Sequence, residues 1–211
     1  MPKDLAITLC NGSLNSVVAA TLAAQKHRII VLTADGGAAP GSRRHAACDL
    51  FISSLKPFRE HVVALPFQSS QQYASGADPR ANADLAPRLI DLTPLLGIAI
   101  RFAAQHSAGS IHTGLRVGPE GPALTRATEF LQIFSELAQL PLGLPELEFN
   151  FPLLELEPWQ VVDLGIQIGA PLDKTWSCHQ DGPDPCHACA GCRARDAAFE
   201  QAAKPDPLSK R

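Results

Sequence analysis

Two spacings of apolar residues organise the chain. Leu5 to Leu9 (LAITL) is a short apolar run, the turn-like CNGSLN follows it, and Ser16 to Gln25 (SVVAATLAAQ) is rich in alanine and leucine. Arg28 to Ala34 (RIIVLTA) is β-branched and apolar on both faces, as a strand covered by helices on each side must be, and Asp35-Gly36-Gly37 ends it. The same criteria predict a strand over His61 to Leu65, a helix over Leu89 to Gln105, a strand over Ser110 to Thr113 and a helix over Thr125 to Leu140. A helix begins at Pro158, where proline suits the first helical position, and stops before Gly169; a last helix runs from Arg193 to Ala203. Strands alternating with helices predict an α/β fold with a doubly wound parallel sheet.

The stretch QSSQQYASGADPRANADLAP, residues 68–87, is polar, small and without period, and it reads as a mobile loop near a ligand site. The expected organisation is an α/β domain over 1–170, a cysteine-rich segment with the final helix over 171–203, and a frayed tail over 204–211.

Composition narrows the function classes. Apolar content is 45%, charged residues make up 18%, and 18 prolines with 15 glycines mark many turns, as in an ordinary globular domain. A formal charge of −3 supplies no positive field for phosphate backbones or anionic lipid, so neither nucleic acid nor membrane is an expected partner. MPKDLAITL lacks the features of a secretory signal, and a cytoplasmic location is the expectation.

Of the six cysteines, four crowd into CHQDGPDPCHACAGC as Cys178, Cys186, Cys189 and Cys192. The Cys-x7-Cys-x2-Cys-x2-Cys spacing lets four thiolates converge on one tetrahedral ion, and zinc suits an all-sulfur set. Four protein ligands leave no open position, so such an ion is structural. Free thiols, two disulfides or an iron–sulfur cluster are the alternatives. His179 and His187 lie within the cluster and read as solvent-exposed, and Cys10 and Cys48 as inert core residues.

Between the first strand and helix, Asn11-Gly12-Ser13 places backbone N–H groups at a helix N-terminus, where a phosphate is stabilised by those donors and the helix dipole. The Walker pattern and its lysine are absent, and Ser13, Asn15 or Ser16 serves equally well as an ordinary helix cap.

PLLELEPWQVVDLGIQIGAPLDKTWSCHQDGPDPCHACAGCRARDAAF, residues 152–199, resembles the C-terminal region of 7-cyano-7-deazaguanine synthases in LG-x-x-x-G, TWSC and the full cysteine set followed by arginine. LCNGSLNS stands where that family carries its SGGxDS pyrophosphate loop, Asp35-Gly36-Gly37 stands for a DYGQ-like segment, IHTGL resembles its I-x-x-G-V strand, and TRATEF resembles a CRxEF-like segment. The resemblance implies a PP-loop ATP pyrophosphatase fold that turns 7-carboxy-7-deazaguanine, ammonia and ATP into a nitrile, with Mg2+ beside the pyrophosphate. It further implies nucleotide contacts from Cys10, Asn11, Gly12, Ser13, Leu14, Asn15, Ser16 and Asp35. Substrate contacts fall to Arg88, Arg126 and Glu129, and catalytic roles to Ser16, Asp35 and Arg126.

The sequence departs from the pattern at several of these positions. Asn11, Ser13 and Asn15 replace the serine, second glycine and aspartate of SGGxDS; GPALTR keeps Arg126 without the aspartate and cysteine of GYPDCR; Pro158 replaces a lysine; and Pro87-Arg88 shortens P-x-R-N. Two hypotheses follow: an ATP-dependent ligase of this family, slow or altered in substrate, or a non-catalytic relative that binds a nucleotide, a deazapurine or a protein partner. A homodimer is the default assembly, and a zinc-bearing domain unrelated to nucleotides is the bland alternative.

Overall fold

The computed structural model describes residues 4–35, 42–65 and 85–209. Its centre is a five-stranded parallel sheet in the order β3-β2-β1-β4-β5, built from β1 (Leu5–Cys10), β2 (Arg28–Asp35), β3 (Arg59–Ala64), β4 (Ser110–His112) and β5 (Glu148–Asn150). The doubly wound α/β expectation is met. Period-two alternation sends Ile7, Leu9, Ile30, Leu32 and Ile111 to one face, where α3 (Leu85–His106) supplies Leu96, Ala99, Ile100 and Ala103 and α4 (Pro122–Gln139) supplies Phe134 and Ala138. Ala6, Cys10, Ile29 and Val31 point to the other face, against Val17, Ala20 and Ala23 of α1 (Leu14–Ala24) and Cys48, Phe51 and Ile52 of α2 (Arg43–Leu55).

The far side of α1 packs through Leu14, Val18 and Ala19 on Val161 and Val162 of α5 (Pro158–Gln167) and on Ala198 and Phe199 of α6 (Ala190–Gln201). Pro158 opens α5, Glu157 and Gln160 form a capping box around it, and Gly169 (φ 68°) stands just past its end. The C-terminal elements thereby cover the helix that begins at the first loop.

Several boundaries differ from the sequence expectation. Neither α2 nor β5 is legible in the sequence: α2 buries only Ala47, Cys48, Phe51 and Ile52, and β5 is a three-residue edge strand held by pairing to β4. Most of the expected loop over 68–87 lies outside the described residues, and its last three residues belong to α3, which starts at Leu85. Over its described part, 204–209, the expected frayed tail is anchored instead: Asp206 makes a two-pronged ion pair with Arg195 at 2.6 and 2.9 Å, and both side chains are buried. An aspartate beyond the last helix reads as solvent-facing until a buried cation is placed beside it. No helix among the described residues is long and apolar enough to cross a membrane.

Candidate functional site

In a parallel sheet, ligands collect at the carboxyl ends of the strands where the strand order reverses. Here the reversal lies between β1 and β4, so the crevice is bounded by Asn11–Ser13 on one side and Thr113–Leu115 on the other. The two walls touch: a Cβ on Gly114 would sit 2.6 to 2.7 Å from the backbone of Asn15 and Ser16, so only glycine permits this approach. Gly12 is similarly confined, with φ at 74° and the carbonyl of Arg44 2.6 Å from where a Cβ would stand. A side chain at Gly114 would press on the start of α1, and one at Gly12 would press on the backbone of α2.

The polar side chains of the first loop are engaged with the loop itself. The Ser13 N–H donates to Asn11 Oδ1 (3.1 Å), the Asn11 N–H donates to Ser16 Oγ (3.3 Å), and Ser16 Oγ donates to the Ser13 carbonyl (3.0 Å). Ser13 caps α1 by accepting from the Ser16 N–H at 3.4 Å. These bonds give the loop a fixed backbone with few mobile hydroxyls. Asn15 is half-buried in the first turn of α1, while Leu14 is buried against α5 and α6 and offers no side chain to a ligand.

Cys10 likewise points away from the crevice. Its Sγ lies 3.6 Å from Cys48 Sγ and 3.7 Å from Ser16 Oγ, and the neighbouring Cys10 together with burial pushes the Cys48 thiol far above its ordinary range. The Cys48 thiol donates to Cys10 Sγ and thereby lowers the Cys10 pKa, and both sulfurs are buried in the core between β1 and α2. Asp35 is the last residue of β2, in register with Ala64 of β3.

The expected substrate residues are split. Arg88 on α3 reaches the loop after β4, where its Nη2 donates to the carbonyl of Arg116 at 2.7 Å. Arg126 and Glu129 are exposed on the first half of α4. Arg116, a residue the sequence did not single out, is half-buried; its Nη1 donates to the carbonyl of Leu156 at 3.2 Å. Burial lowers the Arg116 pKa first and the nearby Arg88 second, with Glu157 opposing them. Arg88 and Arg116 therefore bring two guanidinium groups near one another beside the segment after β4. Nothing in an isolated arginine codon predicts that proximity, which arises from the crossing of α3 and the β4 loop.

The four clustered cysteines do converge: their Sγ atoms all lie within 4.8 Å of one another, with Cys186 to Cys192 at 3.9 Å and Cys178 to Cys189 at 4.0 Å. Ligands on one tetrahedral ion with metal–sulfur bonds of about 2.3 Å stand about 3.8 Å apart, so the donor set fits a single ion. Five backbone N–H groups, those of His179, Gln180, Cys186, Cys189 and Cys192, each point at a cysteine sulfur at 3.4 Å and favour its thiolate. Such donors, from Ala188 and then Cys189, hold the Cys186 thiol down to about 6, while burial pushes Cys192 up. His179 and His187 are exposed and outside the donor set, as expected.

The cysteine segment is joined to the loop after β1 and to the start of α2. The Trp176 N–H donates to the Gly12 carbonyl at 2.8 Å. Asp181 accepts from the Arg43 N–H at 3.0 Å, capping the start of α2, while the Arg43 guanidinium donates to the Pro183 carbonyl (2.9 Å) and stands 4.9 Å from the Trp176 ring. Trp176, Cys178 and Cys192 pack with Ala47 in one buried cluster.

Comparison with known proteins agrees with this arrangement. The model of the family described as queuosine biosynthesis protein QueC matches residues 92–203. A 7-cyano-7-deazaguanine synthase of Methanothrix thermoacetophila is 28% identical over 96% of this chain and 96% of its own, and one of Gloeothece citriformis is 28% identical over 98% and 95%. A solved complex of a 4-thiouridine synthetase with RNA and bound ATP shares the fold, with a TM-score of 0.57 at 16% identity; it covers 94% of this chain, which spans about half of that one (53%). With the family match reaching across the β4 crevice, the late helices and the whole cysteine set, the chain belongs to the QueC family of PP-loop proteins.

Proposed function

We propose that the chain is an ATP-dependent C–N ligase of the 7-cyano-7-deazaguanine synthase type, converting a 7-carboxy-7-deazaguanine-type carboxylate with ammonia and ATP to a nitrile. The carrying observation is the near full-length similarity to proteins of that name, combined with a glycine-dependent loop at the switch point of the sheet. A carboxylate is a poor electrophile. Transfer of AMP from ATP to a carboxylate oxygen releases pyrophosphate; ammonia then attacks the acyl carbon, expelling AMP and leaving an amide. A second adenylation, on the amide oxygen, lets that oxygen depart with AMP as the nitrogen loses its protons and the nitrile forms.

The chain's part is to hold charge and exclude disorder. In this reading the backbone N–H groups of Leu14 and Asn15, in the first turn of α1, hold the departing pyrophosphate, and Mg2+ bound with the nucleotide would neutralise its charge. The replacement of three SGGxDS side chains is compatible with that role because the donors are backbone groups. Asp35 stands at the nucleotide end of β2, Arg88 meets substrate charge at the α3 side, and Arg126 and Glu129 extend the same side along α4. Arg116 adds a second guanidinium to the carboxylate-facing wall. Zinc on Cys178, Cys186, Cys189 and Cys192 fits the closed donor set and supplies no reaction step; it staples the segment that bonds to Gly12 and Arg43.

Incubating the purified chain with ATP, Mg2+, ammonia and 7-carboxy-7-deazaguanine tests the proposal, with AMP, pyrophosphate and nitrile as the expected products. ATP or deazapurine binding without any turnover would replace it with the non-catalytic alternative.

A further inference from the structure

We propose that Asp206, beyond the last helix, is a positioning residue for the nucleotide loop, acting through Arg195 and Thr175 on the bond between Trp176 and Gly12. The inference rests on the reading of that loop as the nucleotide site.

Each step is a direct contact within the fold. Arg195 on α6 has 5% of its side chain exposed and Asp206 has 7%, so the guanidinium sits away from water with one carboxylate to neutralise it. Asp206 takes Nε at 2.6 Å and Nη2 at 2.9 Å. The rest of the fork is committed elsewhere: Nη1 donates to Thr175 Oγ1 at 2.6 Å and Nη2 donates to the Leu172 carbonyl at 3.1 Å. Thr175 Oγ1 in turn donates to the Leu172 carbonyl at 2.7 Å, which leaves its hydroxyl one orientation. The next residue is Trp176, whose N–H meets the Gly12 carbonyl at 2.8 Å.

The loop needs such an outside reference. Asn11, Ser13 and Ser16 bond within the loop and so fix its shape, while its place relative to the rest of the molecule depends on packing around Gly12 and Gly114 and on the Trp176 bond. A buried guanidinium deprived of its carboxylate turns toward water. Thr175 then loses its donor, the Trp176 amide loses its fixed position, and the anion site loses its preorganisation. The four-cysteine segment begins two residues on, at Cys178, so Asp206 and the cysteine cluster flank Trp176 from two directions.

The full-length protein with Asp206→Asn tests this, alongside Thr175→Val, which removes the hydroxyl at constant shape, and Thr175→Ser, which keeps it. Hydrogen exchange at the Trp176 amide and ATP affinity by calorimetry are the readouts. Asp206→Asn and Thr175→Val are expected to speed Trp176 exchange and weaken ATP binding by about tenfold each, with Thr175→Ser close to the parent. Metal content and exchange of the α3 amides stay unchanged. A Trp176 amide as protected as in the parent overturns the proposal, and so does a loosened amide with ATP affinity intact. If the parent protein binds no ATP, the functional reading fails on its own, and Trp176 exchange alone decides whether Asp206 sets the loop. Should Asp206→Asn fail to fold, the two Thr175 variants carry the same decision.

Discussion

The loop after β1 and the four-cysteine segment are in contact through Trp176, yet they are specified in different ways. The cysteine segment depends on side chains: four thiols meet within 4.8 Å, and no other residue type could replace one without changing the ligand set. The loop depends on backbone: Gly12 and Gly114 permit close approach, and Asn11, Ser13 and Ser16 serve to hold the main chain. A family pattern written in side chains is therefore complete in the first region and altered in the second, while the architecture of both survives.

The comparison can be broken most forcefully at the metal. Cys178→Ser replaces one of the four converging sulfurs; if the cluster holds a metal as proposed, the expected outcome is loss of that metal together with several kcal/mol of stability, because metal binding and folding of such a segment are one equilibrium. Elemental analysis and thermal unfolding, with and without a chelator on the parent protein, check it; an unchanged melting temperature on complete metal removal would refute the staple.

Next in size is an acid effect from the sheet beside the loop. His112, at the end of β4, is held down to about 4 by burial first and by the charges of His27 and Lys26 second. An unfolded histidine takes its proton near pH 6.5, so between about 6.5 and 4 the unfolded chain binds more protons and stability falls as pH falls. The loss amounts to at most about 3 kcal/mol. Denaturant titrations across that window should show His112→Gln with a shallower fall than the parent.

Gly114→Ala presses on the backbone of Asn15 and Ser16 and should cost about 1–3 kcal/mol. Nucleotide affinity is expected to drop by at least as large a factor as the folding constant. Affinity equal to that of the parent would separate the β4 wall from the site. The smallest change sharpens the contrast in the opposite direction: Asn15→Asp places a carboxylate in the first turn of α1 and should strengthen ATP binding in Mg2+ by about 1 kcal/mol. Calorimetry with and without Mg2+ measures it, and a gain that persists without the metal would argue for a helix effect only.

Much of the fold was legible beforehand because β1 and β2 are short, nearly continuous apolar runs and α1 is rich in alanine and leucine. The α5 boundaries were legible from Pro158 and Gly169. α2 was not, since RRHAACDLFISSL buries only four side chains and its polar remainder masks them. The convergence of the four clustered cysteines could be read from spacing alone. Arg116, Arg195 and Asp206 could not, because a charged residue in a chain looks solvent-facing until tertiary packing encloses it; two prolines around Asp206 were the only local sign of a constrained turn.

The sequence by itself determined the alternation of strands and helices, the clustering of Cys178, Cys186, Cys189 and Cys192, and the presence of a glycine-bearing turn at the head of α1. These are local properties, set by periodicity, side-chain chemistry and backbone freedom. Only the tertiary structure decided that Trp176 bonds to Gly12, that Arg88 approaches the loop of Arg116, and that Asp206 neutralises Arg195. Those contacts join residues far apart in the chain, and their strength comes from exclusion of water, a condition that exists only once the elements have packed.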